Sequence, residues 1–198
     1  MTGWRTWHAG VTAAAMMVLA GGDGRAADVV MRKSTDKPAA GEITSVTQTE
    51  VIVKPKVGAE ISVPANDIDH VDYDAAPPSL RLGRSQERGG QFEAALESYA
   101  DASSKSATGN PHLRAEIEFL VARTNAKAAL GDPEKLPAAA EGLSSFLSRH
   151  KEHYRHYDAQ LLLGEVLLAA NDVTGAESAF STVAAAPWPD MQMSGKMG

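Results

Sequence analysis

The feature that most constrains the fold is a helical sequence pattern that occurs twice. Residues 83–103 read GRSQERGGQFEAALESYADAS, and residues 164–184 read GEVLLAANDVTGAESAFSTVA. In each copy a Gly is followed twelve residues later by an Ala and four residues after that by an aromatic residue: Gly83, Ala95 and Tyr99, then Gly164, Ala176 and Phe180. Small residues at fixed spacing let two antiparallel helices approach closely, and the aromatic ring fills the space beside them. The pattern therefore predicts a scaffold of helix pairs with a groove, which favours a binding protein over an enzyme.

The helical periodicity extends from residue 80 almost to the end of the chain. Apolar residues recur at spacings of three and four, as in Phe92, Ala95, Leu96 and Tyr99, which is typical of helices with one buried face. Glycine and proline residues separate the periodic stretches. The pattern predicts about six helices, at 80–89, 91–104 and 112–130, from Pro137, at 157–170 and from Val173.

Residues 28–74 have a different pattern, typical of β-strands. Five short runs rich in Val, Ile and Thr are separated by turn residues, and the runs on either side of Gly58 alternate as in a hairpin. Five strands in so short a segment predict a small barrel, since closure removes exposed strand edges. The order of the runs resembles Sm-like and other small five-stranded barrels. Residues 75–79 contain two prolines and are expected to form a stiff linker, so the predicted fold class is α+β.

The helical part of the chain, residues 80–186, resembles a tetratricopeptide repeat (TPR) array. The family has a repeat of about 34 residues. Its pattern is matched in the first copy by Leu82, Gly83, Gly90, Ala95, Tyr99 and Ala102, and in the last copy by Leu163, Gly164, Ala176 and Phe180. The last copy has Asn171 in place of a Gly and Val183 in place of an Ala, and the middle unit around residues 140–147 fits the pattern only loosely.

The resemblance implies that the first helix of each pair lines a groove for a protein or a peptide. The matching positions are Leu80, Arg84, Glu87 and Arg88 in the first copy and Leu161, Glu165 and Leu168 in the last. The alternative at each position is packing against the next repeat. The Lys/Asn clamp with which some family members hold C-terminal carboxylates has no counterpart in this sequence.

The C-terminal residues 187–198 are expected to open a further repeat or to form a tail. Met197-Gly198 lies 34 residues after Leu163-Gly164, where the next Leu-Gly pair of the family pattern would fall. A helix without its partner cannot bury its apolar face. We therefore expect the chain to be a fragment or a truncated reading frame, and a natural polar tail is the alternative.

Residues 1–26 are typical of a secretory signal peptide. Arg5 precedes an apolar stretch at residues 9–20, which is too short for a bilayer that takes roughly 20 residues to span. Small residues provide cleavage sites after Ala20 or Ala26. The sequence therefore predicts export to the periplasm of a bacterium or to the extracellular space, with no membrane span after cleavage. The alternative is a membrane anchor or a disordered apolar tail.

Composition and motifs argue against several classes of function. The net charge of −6 and the lack of a basic cluster argue against a nucleic-acid partner. The chain has no Cys, and it contains none of the common nucleophile, phosphate-binding, zinc-protease or dinucleotide motifs. We therefore expect neither an enzyme nor a cofactor.

Two segments hold candidate metal sites. The acidic run of Asp67, Asp69, Asp72 and Asp74 lacks the Gly and the closing Glu of a calcium loop. The segment HKEHYRHYD offers His150, His153 and His156. Imidazoles three residues apart on a helix can share a metal ion, but the third His is rotated about 120° from the first, and the segment spans a predicted helix junction. The favoured interpretation is a solvated turn with Tyr154 and Tyr157 packing inward.

These patterns favour an exported, non-enzymatic adaptor that binds proteins or peptides in the cell envelope through a TPR-like groove. The alternative is an accessory or metal- or ligand-binding module of an envelope enzyme whose catalytic part is not in this chain. RNA binding is supported only by the Sm-like resemblance, and the acidity of the chain opposes it.

Overall fold

The computed structural model describes residues 27–198 and shows an α+β fold. A five-stranded antiparallel sheet comes first and seven α-helices follow it in this part of the chain. The predicted signal peptide, residues 1–26, lies outside the described residues.

The sheet consists of β1 (Asp28–Arg32), β2 (Ala39–Val46), β3 (Glu50–Lys54), β4 (Ile61–Pro64) and β5 (Ile68–Asp72), in the order β4-β3-β2-β1-β5. All five predicted strands are therefore confirmed, including the β3–β4 hairpin, in whose turn Gly58 adopts a φ of 109°. A short 3-10 helix, Ala65–Asp67, follows β4 where the strand pattern is interrupted.

The sheet is open, so the predicted closure into a barrel is wrong. β4 and β5 are the two edge strands, and no ladder joins them within residues 27–198. β5 does not pair with β4 and contacts the helical part of the chain, since the backbone carbonyls of Asp69 and Val71 accept hydrogen bonds from Arg155 and Arg84. Covering an edge with other parts of the chain protects it as closure would.

One face of the sheet is buried because its apolar residues alternate along the strands. In β2 the residues Ala39, Gly41 and Ile43 face inward, and Val51 and Val53 do the same in β3. Gly41 has no room for a side chain, since a Cβ atom would collide with the backbone of Lys54, the last residue of β3, and of Pro55 directly after it.

The helices are α1 (Pro78–Arg88), α2 (Phe92–Lys105), α3 (Pro111–Ala129), α4 (Leu136–Arg149), α5 (His156–Ala169), α6 (Val173–Ala184) and α7 (Pro189–Met197). The first six correspond to the six predicted helices, with shifts of a few residues at their ends. α7 is a seventh helix, formed by the segment expected to open a further repeat. The predicted linker is shorter than expected, because Pro78 already lies in the first turn of α1.

The predicted close packing of the first and last helix pairs is confirmed. A Cβ atom at Gly83 in α1 would lie 2.5 Å from Cε1 of Tyr99 in α2, and one at Gly164 in α5 would lie 2.5 Å from Cε1 of Phe180 in α6. The middle pair, α3 and α4, packs differently. In this pair the ring of Phe119 in α3 packs against the ring of Phe146 in α4, and their centroids are 5.4 Å apart.

The sheet and the helices share one hydrophobic core. It is continuous from Val30 in β1, through Tyr73 and Leu80 at the junction, to Val166 in α5. Among the helices of residues 27–198, none combines the length and the apolar character needed to cross a membrane.

Candidate functional site

A fully buried carboxylate, that of Glu116, lies where the sheet meets the helices. α3 places it on the same buried face as Leu113 and Leu120. The Tyr154 hydroxyl donates a hydrogen bond of 2.6 Å to Oε2, and Nη2 of Arg84 donates one of 3.3 Å to Oε1. Nη2 of Arg155 lies 4.0 Å from the same Oε1. The carboxylate thus has both a hydroxyl donor and two guanidinium groups around it.

The charged groups of this cluster shift one another's pKa values. Burial alone would raise the pKa of Glu116, but the guanidinium groups of Arg155 and Arg84 outweigh burial and hold the pKa at about 2. Burial and the Glu116 carboxylate raise the pKa of the Tyr154 phenol, so that its hydroxyl stays a donor. Glu116 is therefore ionised over the physiological pH range and, together with Asp72 beside Arg84 and Asp158 beside Arg155, offsets two buried cations.

The same two arginines attach the sheet to the helices. Nη2 of Arg84 donates to the carbonyl of Val71 at 3.1 Å, and Nη2 of Arg155 donates to the carbonyl of Asp69 at 2.6 Å. Asn66, after β4, makes a further contact of 3.3 Å to Asp190 in α7. α1, α3, the start of α5 and α7 therefore all contact this region. The chain's own sheet therefore contacts part of the face on which the TPR resemblance places a groove.

A second buried carboxylate, that of Glu87, joins α1 to α2 and α3. Nε and Nη2 of Arg123 lie 2.7 and 2.8 Å from its two oxygens, Nζ of Lys127 lies 2.9 Å away, and the Tyr99 hydroxyl donates at 2.9 Å. Burial would raise the pKa of Glu87, but Arg123 and Lys127 lower it to about 2. Every oxygen of this carboxylate has a partner within the chain, so the arrangement is that of a structural ion pair.

The seven residues of the predicted groove lie in two different environments. Leu80, Arg84 and Glu87 are in the interior, covered by the sheet and by α3, and a partner would not reach them in this arrangement. Arg88 is exposed at the end of α1. On α5, Leu161 is half-buried while Glu165 and Leu168 are exposed, and this part of the predicted groove is open.

A cleft of about 490 Å³ opens between α3, the α4–α5 turn and the end of β2. Its charged lining residues are Arg114, Glu118, Arg149, Lys151 and Glu152. The imidazoles of His112, His150 and His153 also line it.

The three histidines of the candidate metal site do not converge. His150 Nε2 lies 2.9 Å from Oε2 of Glu118, while the His153 ring is buried and stacks on the Tyr154 ring with centroids 4.6 Å apart. Nδ1 of His156 is buried without a partner in the described part of the chain. Residues 27–198 contain no group of three or more His, Asp or Glu side chains placed to hold a metal ion.

The segment forms the predicted turn, and Tyr154 packs inward as expected, but the turn is less solvated than predicted. His153 and Arg155 are also at most 5% exposed, and Tyr154 and Arg155 turn inward to Glu116. The sequence feature that could have predicted this burial is Glu116. A charged residue on an apolar helix face requires buried partners, and the Tyr-Arg pair supplies them.

Comparisons of the chain with protein-family models, with curated proteins and with solved structures found no match. The function is therefore inferred from the geometry of the chain.

Proposed function

We propose that this protein is an exported, non-enzymatic adaptor that holds a protein or peptide partner in the cell envelope, on a TPR-like array of helix pairs. The observation that carries the proposal is the repeated Gly–aromatic packing of α1 on α2 and of α5 on α6. Helix pairs stacked in this way form an extended surface rather than an enclosed pocket, and such surfaces bind other chains.

The partner surface in this proposal is the α5 face formed by Leu161, Glu165 and Leu168. These residues are spaced by four and three positions, so they lie along one stripe of the helix. The remaining predicted positions on α1, except Arg88, are buried within the chain. In such an adaptor the last helix pair binds the partner, and the first helix pair packs against the sheet.

The chemistry of this stripe favours an apolar partner segment with a basic side chain. Leu168 is 45% exposed, and Glu165 makes no ion pair within residues 27–198. The Glu165 carboxyl reaches the surface, yet partial burial beside the helix raises its pKa. A carboxylate flanked by leucines is stabilised when a Lys or Arg of the partner approaches it.

The test is affinity capture from envelope extracts with three forms of the protein. Leu168→Arg places a charge in the stripe, whereas Leu130→Arg places one at an equally exposed Leu, 47% exposed at the end of α3. We expect wild type and Leu130→Arg to retain the same protein, and Leu168→Arg to retain at least about tenfold less, as for an interface hot spot.

Two results would contradict this proposal. In one, clean wild-type protein retains no specific partner. In the other, all three forms retain the same set of proteins equally, so that the α5 stripe plays no part. Export is tested separately by cell fractionation and by sequencing the N-terminus of the mature chain, where a retained Met1 in the cytoplasmic fraction would contradict it.

A further inference from the structure

The cleft beside α3 has an unusual charge for this protein. The chain carries a net charge of −6, whereas the cleft is lined by three cationic side chains and two carboxylates. Glu118 is already balanced, since Arg149 Nη1 and His150 Nε2 lie 3.0 and 2.9 Å from its Oε2. The lining charges that have no partner in this pair are those of Arg114, Lys151 and Glu152. The cleft therefore keeps an excess of one positive charge.

Both remaining cations are attached to a fixed part of the chain. Nη1 of Arg114 donates to the carbonyl of Ala107 at 3.1 Å, which leaves the other guanidinium N–H groups free of protein acceptors within residues 27–198. The backbone carbonyl of Lys151 accepts from Nε2 of Gln48 at 2.9 Å, and this bond holds the α4–α5 turn against the sheet. The cleft wall is thus fixed before any ligand arrives, which lowers the ordering cost of binding.

His153 adds a buried polar group without a partner. Its Nδ1 accepts the backbone N–H of Arg155 at 3.2 Å, so in the neutral ring the proton is on Nε2. That Nε2 has no hydrogen-bond partner in the described part of the chain. Burial lowers the pKa of His153 to about 4 and also lowers the pKa of His112, so both rings are neutral at pH 7. The N–H itself is buried, so His153 contributes a polar, uncharged wall to the cleft, and the direct contacts to a ligand fall to Arg114 and Lys151.

We propose that this cleft binds a small organic carboxylate, held by Arg114 and Lys151. A volume of about 490 Å³ is within the range of small-molecule sites. The excess of a single positive charge suits a monoanion, whereas a phosphate dianion would face both Glu118 and Glu152. The planar guanidinium of Arg114 matches the two oxygens of a carboxylate.

This site is separate from the α5 stripe of the proposed adaptor. The cleft lies before the start of α5, and Leu168 is twelve residues further along that helix, about 18 Å away at 1.5 Å per residue. Carboxylate binding is measured without a protein partner, so either proposal can fail while the other holds.

The test titrates acetate into the full-length, isotope-labelled protein at constant ionic strength and follows the imidazole signals by NMR. We expect saturable shifts at His112, His150 and His153, which line the cleft, and none at His70, which lies on β5. Arg114→Gln and Lys151→Gln should each weaken binding about fivefold, the effect of losing one ionic contact near the surface.

Two further variants separate a site from general attraction of anions. Glu152→Gln should strengthen acetate binding by a similar factor, which damage to the fold could not do. Lys56→Gln removes an exposed cation in the β3–β4 turn, outside the cleft, and should leave binding unchanged. The proposal is overturned by shifts that do not saturate, by an equal loss in Lys56→Gln, or by inorganic phosphate binding as tightly as acetate.

Discussion

The close packing of α1 on α2 predicts that a single methyl group at Gly83 destabilises the protein. In Gly83→Ala the new Cβ would lie 2.5 Å from Cε1 and 2.6 Å from Cδ1 of Tyr99. The Tyr99 ring cannot easily move away, because it is fully buried and its hydroxyl is bonded to Glu87 at 2.9 Å. Overpacking of this kind costs about 1–3 kcal/mol. Replacing Gly by Ala inside a helix recovers about 1 kcal/mol, so we expect a net loss of up to about 2 kcal/mol.

Two other glycines provide comparisons within the same protein. At Gly164 the collision is with Phe180 at the same 2.5 Å, but that ring has no hydrogen bond to hold it. Gly164→Ala should therefore cost less than Gly83→Ala. At Gly142 in α4 nothing lies within 4 Å of the new Cβ, so Gly142→Ala should stabilise the protein by about 1 kcal/mol.

The assay is urea unfolding followed by circular dichroism, with the midpoint and the slope compared among the three variants. Equal slopes ensure that a shifted midpoint reports stability. The expected order of stability is Gly142→Ala, wild type, Gly164→Ala and then Gly83→Ala. If Gly83→Ala gained as much stability as Gly142→Ala, the proposed contact between the helices would not exist.

The buried Glu116 cluster gives two further predictions. Glu116→Gln removes the fully buried counter-charge of Arg84 and Arg155, which keep only the more exposed carboxylates of Asp72 and Asp158, and should cost up to about 3–5 kcal/mol in the same urea assay. Glu118→Gln, on the partly exposed side of α3, should cost less than about 1 kcal/mol, and equal losses would contradict the buried ion pair. Acid should destabilise the protein in two steps, since the folded-state pKa values of His153 (about 4) and Glu116 (about 2) lie below their ordinary values of 6.5 and 4.5. Stability from His153 is present above pH 6.5 and falls by about 3 kcal/mol towards pH 4, at about 1.4 kcal/mol per unit. Stability from Glu116 and from Glu87, whose folded-state pKa is also about 2, is lost between pH 4.5 and 2, and Glu116→Gln should reduce that second loss. Unfolding free energies that stay flat from pH 6.5 to 4 would refute the first step.

The local elements of this fold could be predicted from the sequence because their signals are local. Alternating Val and Ile residues with turn residues between them are sufficient to identify the five strands. The three-and-four spacing of apolar residues identifies the helices, and the Gly–Ala–aromatic spacing identifies which pairs pack closely. Each of these signals depends on residues within about twenty positions of one another.

The arrangement of the sheet on the helices could not be predicted in the same way. It depends on single contacts between residues far apart in sequence, such as Arg155 with Asp69, 86 residues earlier. Nothing in the strand pattern distinguishes an edge that pairs with β4 from one that accepts hydrogen bonds from two arginines. The closed barrel was therefore the natural expectation, and the open sheet follows from tertiary contacts.

Candidate sites are hard to locate for a related reason. The spacing of His150, His153 and His156 draws attention to metal binding, yet their rings lie in different surroundings. The residue that organises this region is Glu116. As one acidic residue among many it carries no special signal, and only its position on the apolar face of α3 indicates a buried ion cluster.

The buried arginines explain why the sheet packs against α1 and the start of α5 instead of forming a separate domain. Arg84 and Arg155 face one carboxylate, and each still has N–H groups that need acceptors away from water. The carbonyls of Val71 and Asp69 supply those acceptors, so the sheet satisfies donors that the helices alone would leave unpaired. A partner chain that took this face would have to replace two carbonyls as well as the apolar contacts. The surfaces that remain open without such an exchange are the α5 stripe and the cleft beside α3, and binding is therefore expected there.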